Sequence, residues 1–144
     1  MQSYQLDFKP NEVICREGDV STDLFFLKSG KLLICTMNGT QVKALARISP
    51  GEFIGELSFF DGKTRSSYII ALEQSRMLQI PKQELDSQLP LWYVQLGKNL
   101  TKKIRLLDHV IQEANIRHSN SEENKPLTID EQRQFYSILT NHST

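Results

Sequence analysis

Glu56 and Arg65 bring opposite charges into one short stretch, GELSFFDGKTRSS (residues 55–67), set between apolar runs. An arginine can offer two parallel N–H donors to two oxygens of a phosphate. Gly55 allows backbone to approach closely, and ELSFF can open a helical turn whose first N–H groups face an anion. Glu56 can accept from a sugar hydroxyl, and Ser66 and Ser67 add neutral donors beside the arginine. These residues would suit a ribose carrying a phosphate diester. They would equally suit a surface loop in which Glu56 and Arg65 pair with each other, and the residues alone leave both readings open.

Short β segments must position this stretch. EVIC runs into the turn REGD; DLFFLKSG and KLLICTMNG follow, the latter closing on the hairpin dipeptide Asn38-Gly39. QVKALARI ends at Ser49-Pro50-Gly51, and SSYIIALE and RMLQIP complete the series. Such spacing with glycine punctuation predicts an all-β sandwich, barrel or roll over about Val13–Pro81.

The period changes after Lys82. Tyr93, Gly97, Leu100, Ile104, Leu107, Ile111 and Ala114 step alternately by four and three residues, a short heptad seam. The seam predicts a long helix over about 90–118 that either packs on its own β-domain or pairs with the same helix of a second chain; we expect the homodimer, through residues 93–114. NSEENKP then reads as a linker, and Thr128 with Glu131 has capping-box spacing before a short helix at 127–139. That helix is expected to dock on its own domain. The division expected is 1–118 for the main domain and 119–144 for linker and tail helix.

Composition narrows the function. The chain has 144 residues, 39% apolar and 24% charged, with seventeen basic and seventeen acidic side chains. One domain with its own core is expected. Zero net charge gives no long-range attraction to nucleic acid or to an anionic membrane. No run approaches the ~18 apolar residues of a membrane span, and no apolar leader opens the chain, so a cytoplasmic protein is expected. Cys15 and Cys35 are then free core thiols. His109, His118 and His142 all lie in the last third, and no metal-ligand spacing, nucleophile elbow or P-loop occurs. A metal-dependent enzyme on a jelly roll would need histidines inside the β-region, which has none. No enzyme activity, catalytic residue, metal or cofactor is therefore expected.

PGEFIGELSFFDGKTRSS resembles the phosphate-binding cassette of the cyclic nucleotide-binding domain family, which includes the bacterial catabolite activator protein, the regulatory subunit of cyclic AMP-dependent protein kinase and cyclic nucleotide-gated channels. Gly18, Gly30 and Gly51 meet the family's turn glycines, and the resemblance covers about Phe8–Ala114. It implies a mainly β fold with flanking helices: an eight-stranded β-roll of jelly-roll type, followed by a long helix and here a short tail helix. It also implies that Arg65 takes the cyclic phosphate and Glu56 the ribose 2′-hydroxyl. Gly55 and the amides around Leu57 and Ser58 would complete the cradle, with Ser66 and Ser67 bordering phosphate and base. Ile34 and Leu45 would line the sugar and base pocket or serve as plain core. Lys103, Leu107 and Asp108 on the long helix would reach the phosphate side and the purine. Thr64 departs from a frequent proline and loosens the turn. Ser66, where members preferring cyclic GMP often carry threonine, tilts the expectation towards cyclic AMP, with cyclic GMP possible.

Only 26 residues follow His118, and they hold no helix pair suited to a DNA major groove. The expectation is a stand-alone cyclic nucleotide sensor, without direct DNA binding, that signals to an unknown downstream protein through its C-terminal helices. The alternative is a ligand-free scaffold kept for dimerisation or docking.

Overall fold

In the computed structural model, residues 3–114 and 125–141 are described. Among these residues, eight strands form two four-stranded antiparallel sheets, and four helices flank them. One sheet orders β1 (Tyr4–Phe8), β8 (Ser75–Ile80), β3 (Leu24–Ser29) and β6 (Phe53–Ile54). The other orders β2 (Val13–Cys15), β7 (Tyr68–Ala71), β4 (Leu32–Asn38) and β5 (Gln41–Ile48). Apart from the β4–β5 hairpin, the paired neighbours are distant in sequence, as in a jelly roll. The expected β-roll is therefore the fold.

Six strands fall on the apolar runs read from the sequence, while β1 and β6 lie outside those runs. β1 is an edge strand, exposed at Tyr4, Gln5 and Asp7, and β6 has two residues. The β4–β5 hairpin forms, but Asn38 pairs with Gln41, so Gly39 and Thr40 make the turn. Gly39, at φ 64°, supplies the one positive φ of that turn, at its first central position. A bulge follows farther along: Ile34 pairs with Ala46 and Cys35 with Ala44, which leaves Leu45 as the extra residue.

Two apolar layers result. Cys15, Leu27, Leu32, Ile54, Ile69, Ala71 and Met77 form one buried cluster. Leu33, Cys35, Val42 and Ile70 form a second with Leu127, Phe135 and Leu139 of the tail. The tail helix α4 (Ile129–Thr140) thus covers one face of the β2-β7-β4-β5 sheet. Its capping box is complete: Glu131 N donates to Thr128 Oγ1 (3.1 Å) and Thr128 N to Glu131 Oε1 (3.0 Å). Arg16 donates to the Leu139 carbonyl (2.6 Å), a cation on the orphan oxygens of the helix C-terminus. The tail helix docks on its own domain, as expected. Cys15 and Cys35 are free and buried, and burial raises their thiols to about 11 and about 12. Both are protonated at neutral pH and unreactive by that measure.

α1 (Glu56–Asp61) follows β6, and α2 (Lys82–Gln88) precedes the long helix α3 (Leu91–Ala114). α3 rests on α1 through Gly97, which is buried against Phe60, and through Arg105, which is bonded to Asp61. A Cβ on Gly97 would lie 2.1 Å from the Phe60 ring, so this glycine serves contact within the chain rather than the proposed seam. Tyr93, Leu96, Leu100, Ile104 and Leu107 remain exposed along an adjoining stripe. The expected end of the long helix at His118 and the start of the linker, 119–124, lie outside the described residues, as does the side chain of Ala114.

Candidate phosphate-binding site

Arg65 stands at the entry to β7 with its backbone fixed on both sides. Its N–H donates to the Asp19 carbonyl (2.8 Å), and its carbonyl accepts from Gly18 N (2.8 Å). The turn REGD, made possible by Gly18 at φ 91°, is thereby stitched to the cassette. The side chain runs inward and is only 5% exposed. Nη1 donates to the Gly55 carbonyl (3.1 Å), and Nη2 donates to the Asp23 carbonyl (2.7 Å) and Ser21 Oγ (3.3 Å). The guanidinium carbon also lies 5.6 Å from the centre of the Phe25 ring, a cation–π distance. Asp23 is held in turn: its carboxylate accepts from Gln79 Nε2 (2.7 Å) and Lys82 N (3.2 Å).

Nε of Arg65 is buried and has no hydrogen-bond partner among the described residues. A buried N–H of a cation carries a desolvation cost unless something accepts from it. Burial indeed lowers the Arg65 pKa, against the pull of Cys15, Asp23, Asp19 and Glu56. A buried guanidinium with an unused donor is what an anion-binding group requires before its anion arrives, so the residues present fit a phosphate.

Gly55 caps α1 at φ 84°, and its carbonyl accepts both Phe59 N (3.0 Å) and Arg65 Nη1. α1 has no side-chain cap at its start. Ser58 is buried, its hydroxyl donating to the Thr64 carbonyl (3.4 Å) across the cassette loop, and Leu57 is half-buried. Glu56 makes no ion pair with Arg65, so the mutual-pairing reading of the loop is not realised. Although Glu56 as a residue stays exposed, dehydration of its carboxyl raises its pKa. Its own backbone N–H and Arg65 pull the other way without cancelling this. Ser66 is exposed; Ser67 is half-buried, its carbonyl accepting from Cys15 Sγ (3.5 Å).

The remaining candidates divide. Ile34 packs against the core cluster between the strands, while Leu45 is exposed at the β5 bulge. Lys103, Leu107 and Asp108 sit exposed on α3, Leu107 at 59%. Sequence reasoning missed Ser21, Asp23 and Phe25, the groups around the guanidinium. Their separation from Arg65 by some forty residues leaves no local signal.

The sequence matches the family described as "Cyclic nucleotide-binding domain" over residues 5–89. The chain belongs to the cyclic nucleotide-binding domain family. It is similar to the cyclic AMP receptor protein of Thermus thermophilus, at 33% identity over 64% of this chain and 44% of that one. It is also similar to a cyclic nucleotide-gated cation channel of Drosophila melanogaster, at 30% over 72% of this chain and 17% of the channel polypeptide. The chain thus spans less than half the length of these relatives. Among solved structures, an EAL enzyme in its cAMP-bound form matches with a TM-score of 0.64 and 27% identity, covering 78% of this chain and 32% of that one. In this cyclic nucleotide-binding domain, no helix among the described residues is long and apolar enough to cross a membrane. Among the described residues, no group of three or more His, Cys, Asp or Glu could hold a metal ion.

Proposed function

We propose that this cyclic nucleotide-binding domain is a sensor whose ligand is cyclic AMP, held by the cassette between Gly55 and Ser67. Arg65 takes the cyclic phosphate and Glu56 the ribose 2′-hydroxyl. The amides of Leu57 and Ser58 face the anion, and Ser66 and Ser67 border it. The observation that carries this reading is the unpartnered, buried Nε of Arg65 inside a family-matched cassette. The similar EAL enzyme that binds cAMP supports the ligand class.

The exposed stripe of Tyr93, Leu96, Leu100, Ile104 and Leu107 supports a homodimer through α3. Lys103, Leu107 and Asp108 would approach the nucleotide from that helix. Ligand and dimer geometry would then be coupled, provided the nucleotide makes different contacts in two states. The inward face of α4 is already used on its own sheet, so a downstream partner would read α3 or the outer face of α4.

Calorimetric titration with cyclic AMP and, in parallel, cyclic GMP tests the assignment, after removal of any co-purified nucleotide. Saturable binding that weakens strongly in Arg65→Ala supports it; absence of binding by both nucleotides overturns it. The second reading, a ligand-free scaffold, is favoured by the three bonds Arg65 already makes within the fold.

A further inference from the structure

α1, the loop after it and α3 border an open cleft of about 420 Å³ lined by Phe60, Asp61, Lys63, Lys98, Lys102 and Arg105. Asp61 is the one acidic group among the described residues of its lining. Its carboxylate accepts from Arg105 Nε, from Arg105 Nη2 (3.2 Å) and from Lys63 N (2.9 Å). Dehydration would raise this carboxyl, but the bonds from Arg105 and the Lys63 backbone, together with the charges of Arg105 and Lys63, outweigh it and hold it below the ordinary aspartate range. Asp61 and Arg105 therefore neutralise each other. The three ammonium groups of Lys63, Lys98 and Lys102 have no ion-pair partner among the described residues.

Lys98 and Lys102 lie one helical turn apart on α3, so their side chains emerge together. Lys63 meets them from the loop after α1. Three like charges converging on one concavity repel one another, and a multivalent anion relieves that repulsion. Lysines act as mobile point charges and suit phosphate oxygens in many orientations, whereas the one planar fork here, Arg105, is occupied. The volume falls within the range of small-molecule sites and is closed on one wall by Phe60 against Gly97.

From this geometry we infer a second anion site, distinct from the cassette, that takes a small molecule bearing two or more phosphate groups. Such a ligand joins the cassette loop, through Lys63, to α3, through Lys98 and Lys102. It clamps the long helix onto α1. Linkage then requires that whatever shifts α3 on α1 changes affinity for this ligand, and the reverse by the same factor.

The test is titration of the whole chain with inorganic triphosphate at constant ionic strength, by calorimetry and by thermal unfolding. Expected is saturable binding that weakens at least tenfold in the double variant Lys98→Gln/Lys102→Gln. It should persist in Lys28→Gln/Lys43→Gln, two exposed lysines elsewhere, and in Arg65→Ala. Orthophosphate should bind at least tenfold more weakly than triphosphate. Equal weakening in both lysine pairs would mean general charge attraction and would overturn the site. So would loss of triphosphate binding in Arg65→Ala alone, which would put the anion in the cassette. Binding of a polyglutamate peptide without triphosphate would replace the small ligand by an acidic protein segment. Failure of cyclic AMP to bind at the cassette leaves each of these outcomes readable.

Discussion

Arg65 occupies the space that a side chain on Gly55 would need. A Cβ built on Gly55 would lie 2.3 Å from Arg65 Nη1 and 3.0 Å from the Asp23 carbonyl. The cassette glycine therefore has two reasons to be glycine: its φ of 84° and the guanidinium packed on it. Gly55→Ala should lower stability by about 2–4 kcal/mol, from left-handed backbone strain plus a displaced buried cation. Cyclic nucleotide affinity should fall in parallel, because the same shift moves the proposed phosphate donor. Denaturant unfolding and calorimetry on one preparation check both; a variant with unchanged stability and affinity would contradict the packing described.

Arg65 joins the cassette to the loop before β3, so its removal acts twice. Arg65→Ala leaves the Asp23 carbonyl and Ser21 hydroxyl without this donor, at about 1–3 kcal/mol for each acceptor that water cannot reach. Loss of a charge-assisted contact to phosphate should also weaken cyclic nucleotide binding by about 10- to 100-fold. Arg65→Lys keeps the charge without the fork and should fall between. Comparing the two variants by titration, with folding monitored by circular dichroism, separates charge from geometry.

Gly97 and Phe60 make the contact that seats α3 on α1. Replacing Gly97 by Ala in an exposed helix would gain up to about 1 kcal/mol. Here the added methyl meets the Phe60 ring at 2.1–2.5 Å, and overpacking costs about 1–3 kcal/mol. The clash should win, so Gly97→Ala destabilises the protein. In a Phe60→Ala background the clash is gone and the same change should stabilise by about 0.5–1 kcal/mol. The reversal of sign in a double-mutant cycle is the check; two effects of the same sign would show that α3 sits elsewhere.

Much of this was legible in the sequence because it is local. Alternation and turn glycines mark six strands, and the capping box of Thr128 and Glu131 marks α4. Phe53–Ile54 is too short to show a period, and Tyr4–Phe8 as an edge strand buries too little to stand out. Asn38-Gly39 announced the hairpin, yet its register depends on which residue takes the positive φ, and Gly39 does so alone. Heptad spacing placed Gly97 on the exposed seam, whereas the Phe60 ring claims it. The sequence offered Gly55, Glu56 and Arg65 as the candidate cassette. The carbonyl of Asp23, the hydroxyl of Ser21 and the ring of Phe25 were not legible there, since backbone oxygens carry no residue signature and folding alone brings these groups together.

Glu56 yields a prediction in which stability and binding move in opposite directions. Its folded-state pKa is raised, chiefly by dehydration, so the native state binds its proton more tightly than the unfolded chain. By linkage, the Glu56 contribution favours folding below the unfolded value near 4.5. It diminishes as pH rises through the folded value, so at neutral pH the ionised carboxylate opposes folding. Glu56→Gln should therefore unfold at the same or a slightly higher temperature at pH 7. A ribose hydroxyl needs the ionised form as a strong acceptor, so the same change should weaken cyclic AMP binding by about tenfold or more. In the wild type, affinity should decline on acidification, beginning at a higher pH than an ordinary glutamate would give. This dependence should flatten in Glu56→Gln. Titrations between pH 5 and 8, paired with melting curves, test both halves; a pH dependence that survives the substitution would assign it to another group.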